Sequence, residues 1–332
     1  QGQTTSETTS MPRTDGDKLL ISEPRDLASI LPCSGNPPKD TPAAADIPDM
    51  LTTAPTTLHT WASYFSGTEI PVLATTADAL TALAASQDEV TAGQLAPLVL
   101  ADPMMTVKLL AHVAQRRPAR ALTGSETVPQ AILMMGVQPF FAAFGTQPTI
   151  ESTLASWPGA LQGVHDVLAR SHRAALIALA FAVHRKDPDA EIIHEAALMH
   201  DFVEALLWCH APLLALAVKR LRADDPTIGS ALAQRRVLNI ELCDLEQALL
   251  QAWRLPELLV RITNDRRAGD PQARTVLLAL RIARHSGAGW DNPALAQDYR
   301  AAGELLGLSV DAVRDKVMRL EDKPSTPTDS AS

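Results

Sequence analysis

Hydrophobic positions from residue 58 onward recur every three or four residues, the spacing that places side chains on one face of an α-helix. Proline and glycine separate most of these apolar stretches. The pattern predicts helices over residues 77–86, 91–101, 104–115, 125–136, 164–185, 190–210, 242–267, 272–287 and 295–320.

Several of these helices have predicted boundaries. Asp102–Pro103 ends one helix, because the residue before proline is pushed out of the α region. Gly136 is a stop signal, and Leu255–Pro256 divides the stretch 242–267 into two hinged helices. No repeat with a period of 30 to 50 residues is present, which argues against a regular solenoid.

The two ends of the sequence lack this periodicity. Residues 1–57 are rich in Thr, Ser, Pro, Asp and Gly, and we expect them to be disordered, because they cannot bury enough apolar surface to offset the ordering entropy. Residues 322–332 are predicted to be a disordered tail. The expected folded part is 58–321, made of an N-lobe (58–155) and a C-lobe (156–321).

Composition supports an all-α fold. Hydrophobic residues make up 46% of the chain and aromatic residues only 4%, with Ala and Leu dominating the middle of the sequence. Ala and Leu lose little side-chain freedom in a helix, whereas strands favour branched and aromatic side chains. Two methionine pairs, Met104–Met105 and Met134–Met135, are interpreted as core fillers rather than as an adaptable binding groove.

The net charge of −9 gives the whole chain no basic footprint for nucleic acid. A local exception is the stretch 251–290, which contains Arg254, Arg261, Arg266, Arg267, Arg274, Arg281 and Arg284. We interpret these arginines as a solvated helix surface. The alternative is a phosphate-binding or partner-binding face, whose candidates are Arg261, Arg266, Arg267 and Arg281.

Cysteine usage and hydropathy favour the cytoplasm. Cys33, Cys209 and Cys243 are scattered and form no CxxC pair, so neither a disulfide framework nor a zinc knuckle is predicted. The longest apolar run, 174–183, is shorter than the roughly 18 residues of a membrane span. The first residues lack the basic and then apolar pattern of a signal peptide, so we expect a cytoplasmic protein that does not contact a membrane.

The sharpest chemical feature is the adjacent pair His200–Asp201, predicted to lie on a buried helix. Histidine and carboxylate suit Zn, Mn or Fe, but a divalent cation requires four to six donors. Two neighbouring residues point about 100° apart on a helix, so other helices would have to supply the remaining ligands. As a bare dipeptide, the pair is interpreted as a hydrogen-bonded core histidine and its neighbour.

Five stretches, in this order along the chain, resemble the HDOD family, the HD-related output domains of bacterial signalling proteins. They are EIPVLATTADALTAL (69–83), ADPMMTVKLLAHVA (101–114), TVPQAILMMGVQPF (127–140), EAALMHDFVEALL (195–207) and LEQALLQAWRLPELLVRIT (245–263). The resemblance covers most of residues 68–320. It implies a multi-helix bundle whose second lobe is a degenerate HD-type domain, with His200–Asp201 on the helix where catalytic relatives hold a metal.

The same resemblance implies that most metal ligands are missing. The upstream histidine of the catalytic relatives corresponds to Arg170 or Ser171, although His165 and His172 lie nearby in sequence. The distal aspartate corresponds to Leu280. Further positions that depart from the family pattern are Val203, Glu204, Leu242 and Asn264–Asp265.

These observations favour a non-catalytic signal-transduction or scaffolding module that acts through protein partners, holds no cofactor or metal and uses no catalytic residue. The resemblance implies a link to cyclic-dinucleotide pathways. The alternative is a metal-dependent HD-type phosphohydrolase or phosphodiesterase acting on a nucleotide or cyclic dinucleotide. A third possibility, nucleic-acid binding by the arginines of 251–290, is disfavoured by the acidic chain.

Overall fold

The computed structural model describes residues 50–116, 127–267, 269–287 and 289–321. These residues form α-helices, one short 3-10 turn at Asp265–Arg267 and an isolated parallel bridge between Val72 and Thr149. The all-α prediction is confirmed. The helices are α1 (Leu58–Gly67), α2 (Ala74–Ala84), α3 (Ala92–Leu100), α4 (Pro103–Arg116), α5 (Val128–Met135), α6 (Val137–Phe144), α7 (Ile150–Thr153), α8 (Pro158–His184), α9 (Ala190–Met199), α10 (Phe202–His210), α11 (Pro212–Asp224), α12 (Ser230–Leu238), α13 (Leu242–Ala252), α14 (Glu257–Ile262), α15 (Pro271–Ser286), α16 (Ala294–Leu306) and α17 (Val310–Glu321).

Several predicted boundaries are confirmed. Helix α3 ends before the Asp102–Pro103 junction, and the Asp102 carboxylate accepts hydrogen bonds from the backbone nitrogens of Leu73, Met104 and Met105 at 2.8–3.2 Å. The buried aspartate therefore caps α4 and fixes the segment before α2 to it. Helix α5 ends at Gly136, whose φ of 83° is accessible to glycine.

Two predicted helices are divided in the structure. The stretch 190–210 breaks between α9 and α10, at His200–Asp201. The stretch 295–320 breaks at Gly307, which has a φ of 67° and ends α16. Periodicity alone did not mark these two breaks, because apolar residues continue at helical spacing across them.

Helix α8 is the central helix of the described fold and packs against α9, α10 and α15. Glycine at position 163 permits close contact with α10, since a Cβ there would lie 2.6–2.7 Å from the Trp208 ring. Helix α1 packs on α13, and its Trp61 indole donates a hydrogen bond to the carbonyl of Leu238 at 3.0 Å. Early and late parts of the chain thus share one hydrophobic core.

The run 174–183, expected to be too short for a membrane span, lies within the longer helix α8. With 27 residues, α8 is long and apolar enough to cross a membrane by length and composition. The stretch Ala190–His210 and the following α11 pass the same test only together, with a bend of 115° between them. Half of the apolar window of α8 is buried by the rest of the fold. This burial is the packing of a core helix within a helical domain.

Three predictions lie wholly or largely outside the described residues. They are the disorder of 1–57, of which only 50–57 are described, the disorder of the tail 322–332, and the prediction that Cys33 belongs to no disulfide or zinc site. The division of 58–321 into two lobes stays a prediction.

Candidate functional site

The pair His200–Asp201 lies at the joint between α9 and α10 rather than within one helix. Asp201 departs only moderately from helical geometry, with φ −90° and ψ 15°. The apolar residues on either side, from Ile192 to Leu207, bury this joint against α8 and α13. As a result the two polar side chains are only 6% and 8% exposed.

Asp201 is held by two arginines from different helices. Arg170 Nε of α8 donates to Asp201 Oδ2 at 2.7 Å, and Arg284 Nη2 of α15 donates to Oδ1 at 3.3 Å. Both carboxylate oxygens are therefore engaged by guanidinium groups. A buried carboxylate stays charged only when it is paired and hydrogen-bonded in this way.

Arg170 also binds the next acidic residue along α10. Its Nη2 donates to Glu204 Oε2 at 2.8 Å. The Arg170 side chain is 17% exposed. One guanidinium thus bridges Asp201 and Glu204, both of which also raise its pKa although burial opposes the charge.

His200 faces three carboxyl groups. Its Nε2 lies 2.9 Å from Asp265 Oδ1, and its Nδ1 lies 3.6 Å from both Asp201 Oδ1 and Glu246 Oε2. Asp265 belongs to the 3-10 turn and Glu246 to α13. The departure from the family pattern at Asn264–Asp265 therefore places a carboxylate directly on the remnant histidine.

The pKa values of this cluster follow from burial and from these neighbours. Burial favours neutral Asp201, but Arg170 and Arg284 hold its pKa well below 3.8. Burial also disfavours charged His200, yet the carboxyl groups of Glu246, Asp201 and Asp265 raise its pKa well above 6.5. Burial, with Asp265 and Asp201 nearby, raises the pKa of Glu246 well above 4.5 despite the opposing charge of His200. Asp201 is thus an anion and His200 a cation at neutral pH.

Sequence reasoning missed Glu246. Its side chain is 4% exposed, and its Oε1 accepts no hydrogen bond. The sequence pattern could have indicated this residue, because Glu246 lies on the apolar face of α13, with Leu242, Leu245 and Leu249 at helical spacing. An acid in such a stripe is either paired or neutral.

A cavity of about 230 Å³ opens onto this cluster. Leu242, one of the positions predicted to depart from the family pattern, forms part of its wall, and so does Cys243. Burial raises the pKa of the Cys243 thiol to about 12, which keeps it protonated. Among the described residues that line this cavity, none is a reactive thiolate and none is a second histidine.

The residues present do not fit the divalent metal of the catalytic relatives. Among the described residues, no group of three or more histidine, cysteine, aspartate or glutamate side chains is arranged to hold a metal ion. Both Asp201 oxygens already accept from guanidinium groups, and a cation placed there would be repelled by Arg170 and Arg284.

The other candidate ligand positions lie elsewhere. His165 is 42% exposed and lies 3.8 Å from Glu151, whereas burial lowers the pKa of His172. Leu280 is buried in the core, one turn before Arg284 on α15. Of the two upstream positions considered, Arg170 is the one that contacts Asp201.

The arginines of 251–290 are mostly in ion pairs. Arg261 binds Asp270 and Gln272, Arg266 binds Asp244 at 2.5 Å, and Arg267 is exposed. Arg281 binds the fully buried Asp298 at 2.5 Å, a carboxylate that also contacts His285. Three of the four candidate phosphate ligands thus already have an acidic partner.

The methionine pairs have different environments. Met104 and Met105 are completely buried, as predicted for core fillers. Met134 is 61% exposed, and both Met134 and Met135 line an open cavity. The core-filler prediction is therefore wrong for Met134, because this residue is exposed at the cavity rather than enclosed in the core.

Residues 70–268 match the family described as the HDOD domain. This match covers the described helices from α2 to α14 and the whole cluster around His200 except Arg284. No curated protein matches the chain significantly.

Two solved structures share the fold at low identity. The MmoQ response regulator from Methylococcus capsulatus strain Bath is 20% identical with a TM-score of 0.56, and the similarity covers 77% of this chain and 98% of that protein. A virulence factor from Campylobacter jejuni subsp. jejuni is 16% identical with a TM-score of 0.57, over 81% and 98% of the two chains.

Proposed function

Since the chain belongs to the HDOD domain family, we propose that it is a signal-transduction or scaffolding module that acts by protein–protein contact and catalyses no reaction at His200–Asp201. The observation that carries this proposal is the engagement of Asp201 by Arg170 and Arg284. Two guanidinium groups supply positive charge where a metal supplies it in the catalytic relatives, but a guanidinium, unlike a metal ion, does not lower the pKa of a bound water to make it a nucleophile.

The charge arrangement supports a structural role for the pair. The cationic groups Arg170, Arg284 and His200 face the anionic groups Asp201, Glu204 and Asp265. These residues come from α8, the joint between α9 and α10, α10 itself, α15 and the 3-10 turn. The cluster therefore joins five elements and fixes their packing.

Protein contact is supported by exposed apolar side chains on the central helix. Leu176 is 48% exposed and Val183 61% exposed, and they lie seven residues apart on one side of α8. Apolar side chains at this spacing are how one helix face meets a partner. A structure with the same fold, the MmoQ response regulator, carries a signalling description. The protein is proposed to act in the cytoplasm.

A second candidate, a metal-dependent phosphohydrolase, is favoured by one observation. Glu246 and Asp265 place two further carboxyl groups beside His200, at 3.6 and 2.9 Å. A catalytic site would require Arg170 and Arg284 to leave Asp201 so that a metal can bind there. Such a step would break the mostly buried pair between Arg170 and Asp201, at a cost of several kcal/mol. It would also break the weaker pair with Arg284, whose side chain is 43% exposed and therefore screened by solvent.

An activity assay separates the two functions. The purified full chain is incubated with Mn²⁺ or Fe²⁺ and with cyclic dinucleotides or a nitrophenyl phosphodiester, beside the variants His200→Ala and Asp201→Asn. We expect the same background hydrolysis from all three proteins. Hydrolysis by the wild type that disappears in both variants would refute the non-catalytic function and support the phosphohydrolase.

A further inference from the structure

A second cavity of about 560 Å³ lies away from the His200 cluster, between α4, α5, α6 and the start of α14. Eight of the ten described residues that line it are apolar, among them Met134, Met135 and Pro256. Its volume lies within the range of small-molecule sites, which is about 300–1,000 Å³. Methionine side chains adapt their shape, so this wall can close on ligands of different outline.

The only two polar residues among those lining residues are His112 and Arg116, one turn apart on α4. The His112 ring packs against Phe144 with centroids 4.8 Å apart. Burial, together with the charges of Arg116 and Lys108, lowers the pKa of His112, so its imidazole is neutral at pH 7. Arg116, which is exposed at the edge of the cavity, is therefore its charged group.

Within the part of the chain that the structure describes, the Arg116 guanidinium forms no ion pair and no hydrogen bond, in contrast to Arg170, Arg261, Arg281 and Arg284. An arginine at the edge of an apolar cavity without a carboxylate of its own can bind one from a ligand. Guanidinium and carboxylate form paired, charge-assisted hydrogen bonds.

From this geometry we infer that the cavity binds a small amphiphilic acid, whose apolar chain or ring contacts Met134, Met135 and Pro139 and whose carboxylate binds Arg116. The inference concerns a site separate from the His200 cluster and does not depend on the proposed function. Charge complementarity selects the occupant: an uncharged lipid would leave Arg116 without a partner, and a cationic amphiphile would be repelled by it.

The test uses dodecanoate below its micelle concentration, with dodecanol as a probe of the same chain length without charge. Binding to the full chain is measured by displacement of the fluorescent dye 1-anilinonaphthalene-8-sulfonate, which combines apolar rings with an anionic group. Arg116→Gln removes the charge, and Ala142→Trp fills the cavity from an exposed position on α6. Arg236→Gln removes an exposed arginine that does not line the cavity.

We expect dodecanoate to bind the wild type and Arg236→Gln equally, and Arg116→Gln at least tenfold more weakly. Dodecanol should bind those three proteins alike, and Ala142→Trp should bind neither probe while keeping the wild-type circular dichroism spectrum and melting temperature. Equal dodecanoate affinity in the wild type and Arg116→Gln would overturn the inference, as would binding to Ala142→Trp. Absence of binding together with self-association that Ala142→Trp abolishes would also overturn it and assign the surface to a second copy of the chain.

Discussion

At the scale of single residues, Arg170 determines what the His200–Asp201 pair can do. Its guanidinium lies 2.7 Å from Asp201 and 2.8 Å from Glu204, in a site where the arginine is mostly buried. In such surroundings an unpaired carboxylate costs far more free energy than it does in water. The arginine therefore stabilises the buried charge of Asp201 and also pairs with the partly exposed Glu204.

Replacing Arg170 with leucine should lower the free energy of unfolding by about 3–5 kcal/mol, because it leaves Asp201 buried with only the longer contact to Arg284. Urea denaturation at pH 7 measures this loss. The matched control is Arg173→Leu on the same helix, whose ion pair with Glu321 is about one-third exposed. The control should lose about 1 kcal/mol or less. Equal losses in the two variants would contradict the role given to Arg170.

Glu195 should make stability depend on pH. Its carboxyl group is 2% exposed and accepts a hydrogen bond from the backbone nitrogen of Val128, and burial raises its pKa to about 8. The folded state thus keeps a proton that the unfolded state releases near 4.5. The stabilisation is complete below pH 4.5 and is lost as the pH rises towards 8, with a slope of at most about 1.4 kcal/mol per pH unit.

Glu195→Gln tests this dependence, because glutamine remains neutral. The difference in unfolding free energy between Glu195→Gln and the wild type should be constant below pH 4 and should move in favour of the variant between pH 5 and 8. Urea denaturation at a series of pH values measures it. A difference that stays flat across that range would show that Glu195 titrates normally in the folded protein.

At the scale of secondary-structure elements, the sequence predicted most helices but not how they divide. Proline and glycine marked the ends of α3, α5 and α13 correctly. The break at His200–Asp201 was missed, because the apolar spacing continues through it. In the structure, His200 itself keeps helical backbone angles, with φ −55° and ψ −41°. Helices α1, α6, α7, α11 and α12 were not assigned from the pattern.

The close packing of α8 on α10 rests on one glycine. A Cβ at Gly163 would lie within 2.7 Å of three ring atoms of Trp208, so Gly163→Ala should force the helices apart and destabilise the fold by about 1–3 kcal/mol. Gly159→Ala on the same helix is the control, since its Cβ would meet only Leu216 at 3.8 Å. There alanine should be neutral or stabilising by up to about 1 kcal/mol. Thermal unfolding compares the two, and similar melting temperatures would contradict this packing.

At the scale of the whole molecule, family resemblance predicted the fold and directed attention to His200–Asp201, but it did not predict which residues surround this pair. Arg170, Asp265 and Arg284 lie 31, 65 and 83 positions from the residues they contact. Sequence spacing within one helix carries no information on such contacts. The departures from the family pattern predicted which ligands are missing, whereas the two guanidinium groups that contact Asp201 are visible only in the structure.

We propose that two arginines, and not a metal, neutralise Asp201. This proposal is tested by titrating the metal-free full chain with Mn²⁺ and Fe²⁺, followed by elemental analysis of the dialysed protein. We expect no stoichiometric binding to the wild type, and the same result for His200→Ala. One ion bound per wild-type chain and lost in His200→Ala would contradict it.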